Sequence, residues 1–197
     1  MMAIIKQGVV ISKGASIDDS VQVGEYSVIG NGQDTDNIRI KANTVIHRFC
    51  FIDRNTQIGK NCLIGDGVYI YKNCTIGDNV KILCKSVIDS GCQIANGCII
   101  DANIANKVIM EENVRFFGQI AHSHRNHTLD WKTTSEPSPI FRKNSIVGVG
   151  ALIIGDVEVG EGSYVAAGEI LRCNLPANSV YYQGKIYPKK FFRGLII

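Results

Sequence analysis

Isoleucine recurs at every sixth position between residues 40 and 100 of this chain. The members are Ile40, Ile46, Ile52, Ile58, Ile64, Ile70, Ile76, Ile82, Ile88, Ile94 and Ile100. A period of six fits neither an amphipathic helix, whose apolar residues recur every three to four positions, nor a half-buried strand, in which they alternate. A fixed repeat is instead typical of a chain that coils. Each hexapeptide would form one short side of a coil and direct one aliphatic side chain inward.

The other positions of the hexapeptide agree with a coil. With isoleucine as position one, position five holds small or slim residues, which indicates a second inward position: Thr44, Cys50, Thr56, Cys62, Val68, Cys74, Val80, Ser86, Cys92 and Cys98. Position four is rich in residue types that tolerate positive φ and therefore turn a corner: Asn43, Asn55, Asn61, Asn73, Asn79, Gly91 and Gly97. The same phase returns near the C-terminus, at Phe141, Val147, Ile153, Val159, Val165 and Leu171.

The period breaks in three places, and segments that leave a regular scaffold often carry function. Two breaks are short, between Ile29 and Ile40 and between Ile100 and Met110. The longest lies between Phe116 and Phe141 and contains three of the four histidines, the only tryptophan and two of the four prolines. We expect a projecting loop over about residues 119–140.

Composition excludes several classes. The net charge of +3 is too small to favour nucleic acid as a partner. We expect no transmembrane segment and no signal peptide, and therefore a cytoplasmic protein. Five of the seven cysteines occupy position five, where a small buried side chain is needed, so core packing accounts for them better than metal or disulfide chemistry.

The repeat resembles the hexapeptide-repeat acyltransferases over roughly residues 8–175. That resemblance implies an all-β fold, a left-handed parallel β-helix in which three hexapeptides make one triangular coil. We expect a β-helix domain over residues 1–175, with the projecting loop, and a C-terminal strap or short helix over residues 176–197. The resemblance also implies a homotrimer with active sites in grooves between subunits.

The histidine-rich segment carries a second resemblance. Residues 126–130, Asn-His-Thr-Leu-Asp, are similar to the Asn-His-x-x-Asp stretch of sugar and xenobiotic O-acetyltransferases, in which the histidine is the general base. The resemblance assigns that role to His127, with His124 or His122 as alternatives. Asp130 either orients His127 or caps the following turn. A solvated surface loop without catalytic histidine remains open.

Residues 147–168 are similar to the last coils of these transferases, along which the pantetheine arm of the cofactor lies. The resemblance and the small residues here make Gly148, Val149, Ala166 and Ala167 candidate cofactor-binding positions. Arg172 and Lys185 are candidate partners for the phosphates of CoA. The usual lysine of the family is Cys173 here, which leaves the nucleotide contacts open.

The sequence thus predicts an acetyltransferase that uses acetyl-CoA as co-substrate and acylates a hydroxyl or amine of a sugar or sugar-nucleotide acceptor. Two alternatives stay open. One is a non-catalytic β-helix scaffold or binding module. The other is a γ-carbonic anhydrase-like zinc enzyme, because His122 and His127 have the spacing such a site uses, although a third ligand is not evident. The main prediction includes no metal site.

Overall fold

The computed structural model describes residues 3–32, 34–122 and 137–192. Within these ranges the chain forms short strands and one terminal 3-10 helix. In chain order the strands are β1 (Ile4–Ile5), β2 (Val10–Ile11), β3 (Ala15–Ile17), β4 (Gln22–Val23), β5 (Val28–Ile29), β6 (Ile38–Ile40), β7 (Val45–Ile46), β8 (Phe51–Ile52), β9 (Gln57–Ile58), β10 (Leu63–Ile64), β11 (Tyr69–Ile70), β12 (Thr75–Ile76), β13 (Lys81–Ile82), β14 (Val87–Ile88), β15 (Gln93–Ile94), β16 (Ile99–Ile100), β17 (Asn103–Ile104), β18 (Ile109–Met110), β19 (Arg115–Phe116), β20 (Gln119–Ala121), β21 (Ile140–Phe141), β22 (Ile146–Val147), β23 (Leu152–Ile154), β24 (Glu158–Val159), β25 (Tyr164–Val165), β26 (Ile170–Leu171), β27 (Ser179–Tyr182) and β28 (Lys185–Pro188).

Every third strand shares a face, so the coils stack as a three-sided prism. Face 1 contains β1, β4, β7, β10, β13, β16, β19, β22, β25 and β27, with β28 at its end. Face 2 contains β2, β5, β8, β11, β14 and β17, followed by a separate sheet of β20, β23 and β26. Face 3 contains β3, β6, β9, β12, β15, β18, β21 and β24. The corner that follows each face takes that face's number.

The coils are parallel and in register. Ile64 pairs with Ile46 below it and with Ile82 above it, which gives 18 residues, or three hexapeptides, per coil. The fold is a left-handed parallel β-helix, as the resemblance predicted.

The predicted inward columns are buried. Every isoleucine at position one from Ile40 to Ile100 is at most 2% exposed. Position four has positive φ throughout this stretch, at Asn43, Phe49, Asn55, Asn61, Gly67, Asn73, Asn79, Lys85, Gly91 and Gly97. Only the first coil departs, where Ile5 and Ile11 are 42% and 36% exposed because no coil covers them from below among the described residues.

Position five does more than fill space. Thr44 Oγ1 donates to the carbonyl of Gly59 at 2.8 Å and accepts the N–H of Cys62, one coil above, at 3.1 Å. The thiol of Cys62 donates in the same way to the carbonyl of Gly77 at 3.1 Å. These small polar groups therefore bridge backbone groups at the corners, which an apolar residue of equal size does not do. Burial raises the pKa of the Cys98 thiol to about 11.

Two irregularities involve face 2. Ile100 pairs with Phe116 after 16 residues rather than 18, since the chain reaches the inward residue Ile104 only four positions after Ile100. The step from Phe116 to Ile120 is equally short, and Ile120 pairs with Ile153 in the coil above. Strand β20 therefore continues the coil through Ala121, into the segment where a projection was expected, and residues 123–136, which follow at corner 2, lie outside the described ranges.

The C-terminal segment ends the stack. Strand β27 pairs in parallel with β25, and β28 folds back antiparallel on β27. A 3-10 helix over Lys189–Phe192 follows, and its Phe192 ring contacts Tyr182 and Tyr187 at centroid distances of 6.0 and 5.6 Å. Residues 176–192 thus contain the hairpin and this short helix. In the described ranges we find no helix of the length and apolarity needed to cross a bilayer.

We predict that Ile76→Asp destabilises the protein by several kcal/mol, because it buries an unpaired charge in the column of inward side chains. The matched control is Thr75→Asp, at the neighbouring exposed position of the same strand, which should stay within about 1 kcal/mol of the parent. Urea unfolding of the three proteins measures both. Equal stability of the two variants would contradict the assignment of inward positions.

Candidate functional site

The predicted catalytic group belongs to the stretch of sequence between β20 and β21. His124, His127 and Asp130 fall outside the described residues, so their roles remain predictions. His122 is described and is partly buried directly after β20. The chain returns to the coil at Ser138, whose Oγ donates to the Asn106 carbonyl at 2.7 Å, and at β21.

Four of the predicted cofactor-binding residues lie together at corner 1. Val147 pairs with Val165, so Gly148 and Val149 lie one coil below Ala166 and Ala167. A Cβ on Gly148 would lie 2.7 Å from the Ala167 nitrogen. Gly148 is therefore required by the packing of adjacent coils. The sequence analysis had explained its small size by the approach of a ligand, whereas the structure explains it by the neighbouring backbone.

The exposed part of this corner forms a smooth surface, which we call the corner-1 strip: Val149, Gly150, Ala167 and Gly168. Val149 is 71% exposed. A Cβ on Gly150 or Gly168 would meet no atom within 4 Å. Gly168 N–H donates to the Val149 carbonyl at 3.0 Å, while the N–H and C=O of Ala167 pair with no described residue. The strip therefore offers an apolar side chain and unpaired backbone groups to an extended ligand that contains amides.

The two predicted phosphate partners lie at different corners. Lys185 begins β28 opposite Tyr182, next to the pair Val165 and Tyr181, and so lies near the corner-1 strip. Arg172 follows β26 at corner 2, above Ile154 and Ala121, the corner from which the histidine-rich segment departs. Both side chains are exposed. Within one chain they form no single anion site.

Sequence reasoning missed an ion-pair cluster near corner 3. The Arg142 guanidinium donates to Glu111 in the coil below and to Glu158 in the coil above, each at 2.8 Å. Lys143 N–H also donates to Glu111, at 2.9 Å. Arg142 follows β21, so this cluster fixes the coil at which the chain returns. Its members are 31 and 16 positions apart and become neighbours only once the inserted segment is known, which is why spacing did not reveal them.

The hydrogen bonds of this cluster shift its titration. Bonds from Arg142 hold the pKa values of Glu111 and Glu158 below the ordinary value of 4.5, and the two carboxylates raise that of Arg142. A lowered carboxyl pKa stabilises the fold above the unfolded value and loses this contribution as the pH falls below it.

Comparison with known proteins agrees with the architecture. Residues 37–72 match the family described as bacterial transferase hexapeptide (six repeats). The chain is a hexapeptide-repeat protein of the left-handed β-helix type. The resemblance to hexapeptide-repeat acyltransferases seen in the sequence is thereby confirmed.

Individual proteins similar to this hexapeptide-repeat protein are acyltransferases. A serine acetyltransferase of Buchnera aphidicola subsp. Schizaphis graminum is 36% identical over 93 residues, which cover 45% of this chain and 34% of that protein. The chain thus spans about a third of the length of the curated relative it matches. The structure of LpxA from Acinetobacter baumannii covers 90% of this chain and 70% of its own, with a TM-score of 0.52 and 19% identity. UDP-N-acetylglucosamine O-acyltransferase (LpxA) from Moraxella catarrhalis covers 96% and 76%, with a TM-score of 0.46 and 19% identity. At its identity, the structure of LpxA from Acinetobacter baumannii shows the fold alone.

The described part of the hexapeptide-repeat protein contains no group of three His, Cys, Asp or Glu side chains that could hold a metal ion. His127, which the zinc alternative needs, lies outside that part.

We predict that Arg142→Met lowers the melting temperature and flattens its dependence on pH below about 4.5, because the two glutamates then titrate near their ordinary values. In the parent protein, stability should fall more steeply as the pH drops through this range. Lys143→Met is the control, since Lys143 forms a single pair with Glu112 at 2.7 Å. Parallel pH profiles for parent and Arg142→Met would exclude a stabilising role for the cluster.

Proposed function

We propose that the protein transfers an acyl group, most simply acetyl, from acyl-CoA to a hydroxyl or amine of a sugar or sugar-nucleotide acceptor. The observation that carries this proposal is the corner-1 strip, a smooth surface with unpaired backbone groups, in a hexapeptide-repeat β-helix that also inserts a histidine-rich segment two coils below Ala167. The serine acetyltransferase relative supports acetyl-CoA as the donor.

The donor would lie with its pantetheine arm along the strip. The exposed Val149 side chain offers an apolar contact, and Ala167 offers an N–H and a C=O for the amides of the arm. Lys185 is the basic residue near this corner and suits a phosphate of the nucleotide. Arg172 lies at a different corner and is too distant to contact the same phosphate. In a homotrimer, Arg172 would instead contact a donor bound to a neighbouring subunit.

The chemistry requires one general base. His127 accepts the proton of the acceptor group as its oxygen or nitrogen attacks the thioester carbonyl carbon. The tetrahedral intermediate collapses with cleavage of the carbon–sulfur bond, and the imidazolium returns the proton to the CoA thiolate. The products are an ester or amide and free CoA. Backbone N–H groups at the corner suit the role of oxyanion donors, and the rigid coil supports proximity.

The homotrimeric assembly implied by the resemblance and the cytoplasmic location expected from the sequence belong to the same proposal. A second acceptor class has its own support, since the 36%-identical relative is a serine acetyltransferase. An amino-acid hydroxyl therefore belongs in the acceptor panel beside sugars and sugar nucleotides.

For the donor site, we predict that acetyl-CoA raises the melting temperature of the parent protein and that Ala167→Tyr abolishes most of this shift. Ala177→Tyr is the matched control. It replaces an exposed alanine that covers Gly160, as Ala167 covers Gly148, but it lies on another corner. Lys185→Ala should reduce the shift and Arg172→Ala is measured separately. If acetyl-CoA gives neither a shift nor binding heat, the protein is a scaffold or binding module. Stoichiometric zinc by elemental analysis would instead favour the carbonic anhydrase-like alternative.

For the base, we predict that His127→Ala lowers turnover by about two to four orders of magnitude and leaves the acetyl-CoA shift unchanged. Parent activity should rise with pH as the imidazole deprotonates. Release of free CoA thiol in the presence of an acceptor measures both. His124→Ala and His122→Ala should cost less, and His47→Ala, distant along the coil stack, should be neutral. If His124→Ala is inactive while His127→Ala is not, the base is His124, and activity of all three loop variants would remove the role from this segment.

A further inference from the structure

The hydrogen-bond ladder of face 2 is interrupted once among the described residues, between β17 and β20. Below the interruption, Val87 N–H donates to the Ala102 carbonyl at 3.2 Å and Asp89 N–H to the Ile104 carbonyl at 3.0 Å. At the interruption the two strands lie side by side without pairing. In the other coils of face 2, the N–H groups of the lower strand donate to the C=O groups of the upper strand. The equivalent N–H groups of β17 and C=O groups of β20 have no partner in the described chain. They belong to Asn103, Ala105, Gly118 and Ile120.

The interruption coincides with the two shortened turns of corner 1. Residues 101–103 and 117–119 each bridge two inward positions with three residues, where a regular coil uses five. Beside them lies an open groove of about 320 Å³. This volume is at the lower end of the range for small-molecule pockets. Backbone donors on the lower strand face backbone acceptors on the upper one.

The side chains of the groove are mostly polar, with Phe117 and Ala102 as apolar members, and their charges balance. Lys85 and Asp101 contribute one charge of each sign, and Asn103 and Gln119 contribute amides. The Asp101 carboxylate forms no ion pair or hydrogen bond with the described residues. Such a lining suits a neutral ligand whose groups both donate and accept hydrogen bonds, as sugar hydroxyls do.

The groove is continuous with the corner-1 strip, because Gly150 lines the groove and belongs to the strip. A donor lying along the strip would thus place its acyl end beside the groove.

We propose that this groove binds the neutral, hydroxyl-rich ring of the acceptor. The role of the bound ring as an acceptor rests on the proposed acyl transfer. The sugar site itself, at the face-2 interruption, does not depend on that proposal. The recognition residues are Asp101, Asn103 and Gln119, together with the unpaired backbone groups of the two strands.

An exposed thiol in the groove permits a test that needs no turnover. Cys84 lines the groove, Cys173 is exposed at corner 2, and the other five cysteines are buried. Alkylation by iodoacetamide is followed at both exposed thiols by mass spectrometry, with glucose, galactose or N-acetylglucosamine present in excess. At least one sugar should slow alkylation of Cys84 about fivefold or more, with no change at Cys173. Unchanged Cys84 rates with all three sugars would overturn the inference, and so would equal slowing at both thiols.

Variants locate the protection. Asp101→Asn and Gln119→Ala should each remove most of it, measured as the ratio of rates with and without sugar in the same variant. Gln22→Ala is the matched control, because Gln22 is likewise an exposed glutamine that begins a strand, on face 1. Protection that survives both groove variants would place the sugar elsewhere and refute the inference.

Acyl transfer separates this inference from the proposed function. With a working acceptor, Gln119→Ala should raise the acceptor KM about tenfold and leave the acetyl-CoA KM within about twofold. Cys84 protection without any CoA release would refute the transferase and retain the sugar site. CoA release with no protection and no change in KM would refute the groove and retain the transferase.

Discussion

The backbone hydrogen bonds between stacked strands, whose paired residues are 18 positions apart in a regular coil, are the constraint on which this molecule depends. Each strand is too short to be stable alone and is held only by the coils directly below and above it. The corners, where a sheet ladder cannot continue, are bridged by the position-five hydroxyls and thiols, as Thr44 and Cys62 show. Since support is local, a coil tolerates an irregularity without disturbing the stack beyond its neighbours. The inserted segment at corner 2 and the interruption of face 2 are both accommodated in this way.

The period predicted the regular part of the fold residue by residue. Ile40 to Ile100 are inward, position five is buried and position four turns the corner, because each of these requirements restricts the residue type strongly. Handedness came from resemblance. The inward roles of Ile104 and Ile120 could not be read from the spacing, since two shortened turns shift the phase and a period reveals only what repeats. The Arg142 cluster was hidden for a related reason: its partners are adjacent in space and separated by an insertion in sequence.

The candidate site was predicted less completely. Resemblance grouped Gly148, Val149, Ala166 and Ala167, and the structure places them at one corner of adjacent coils. The structure also shows that packing requires a glycine at position 148, because a side chain there would clash with the backbone of Ala167. Small size at a solenoid corner is therefore ambiguous evidence for a ligand. Exposure and unpaired backbone groups, as at Val149 and Ala167, are the better signals, and neither is visible in sequence. Arg172 and Lys185 are close in sequence and lie at different corners, because six residues move the chain by a full face.

The hairpin of β27 and β28 has a consequence for the repeat as a whole. The last strand of a parallel stack leaves an edge on which another parallel strand can pair. A regular coil therefore sets no limit on the number of coils. β28 runs in the opposite direction on face 1, and the 3-10 helix of Lys189–Phe192 packs its aromatic ring against the same hairpin. The edge that a further parallel strand would need is thereby occupied by one of reversed polarity. On face 1, parallel stacking therefore stops at a strand of reversed direction that the sequence itself supplies.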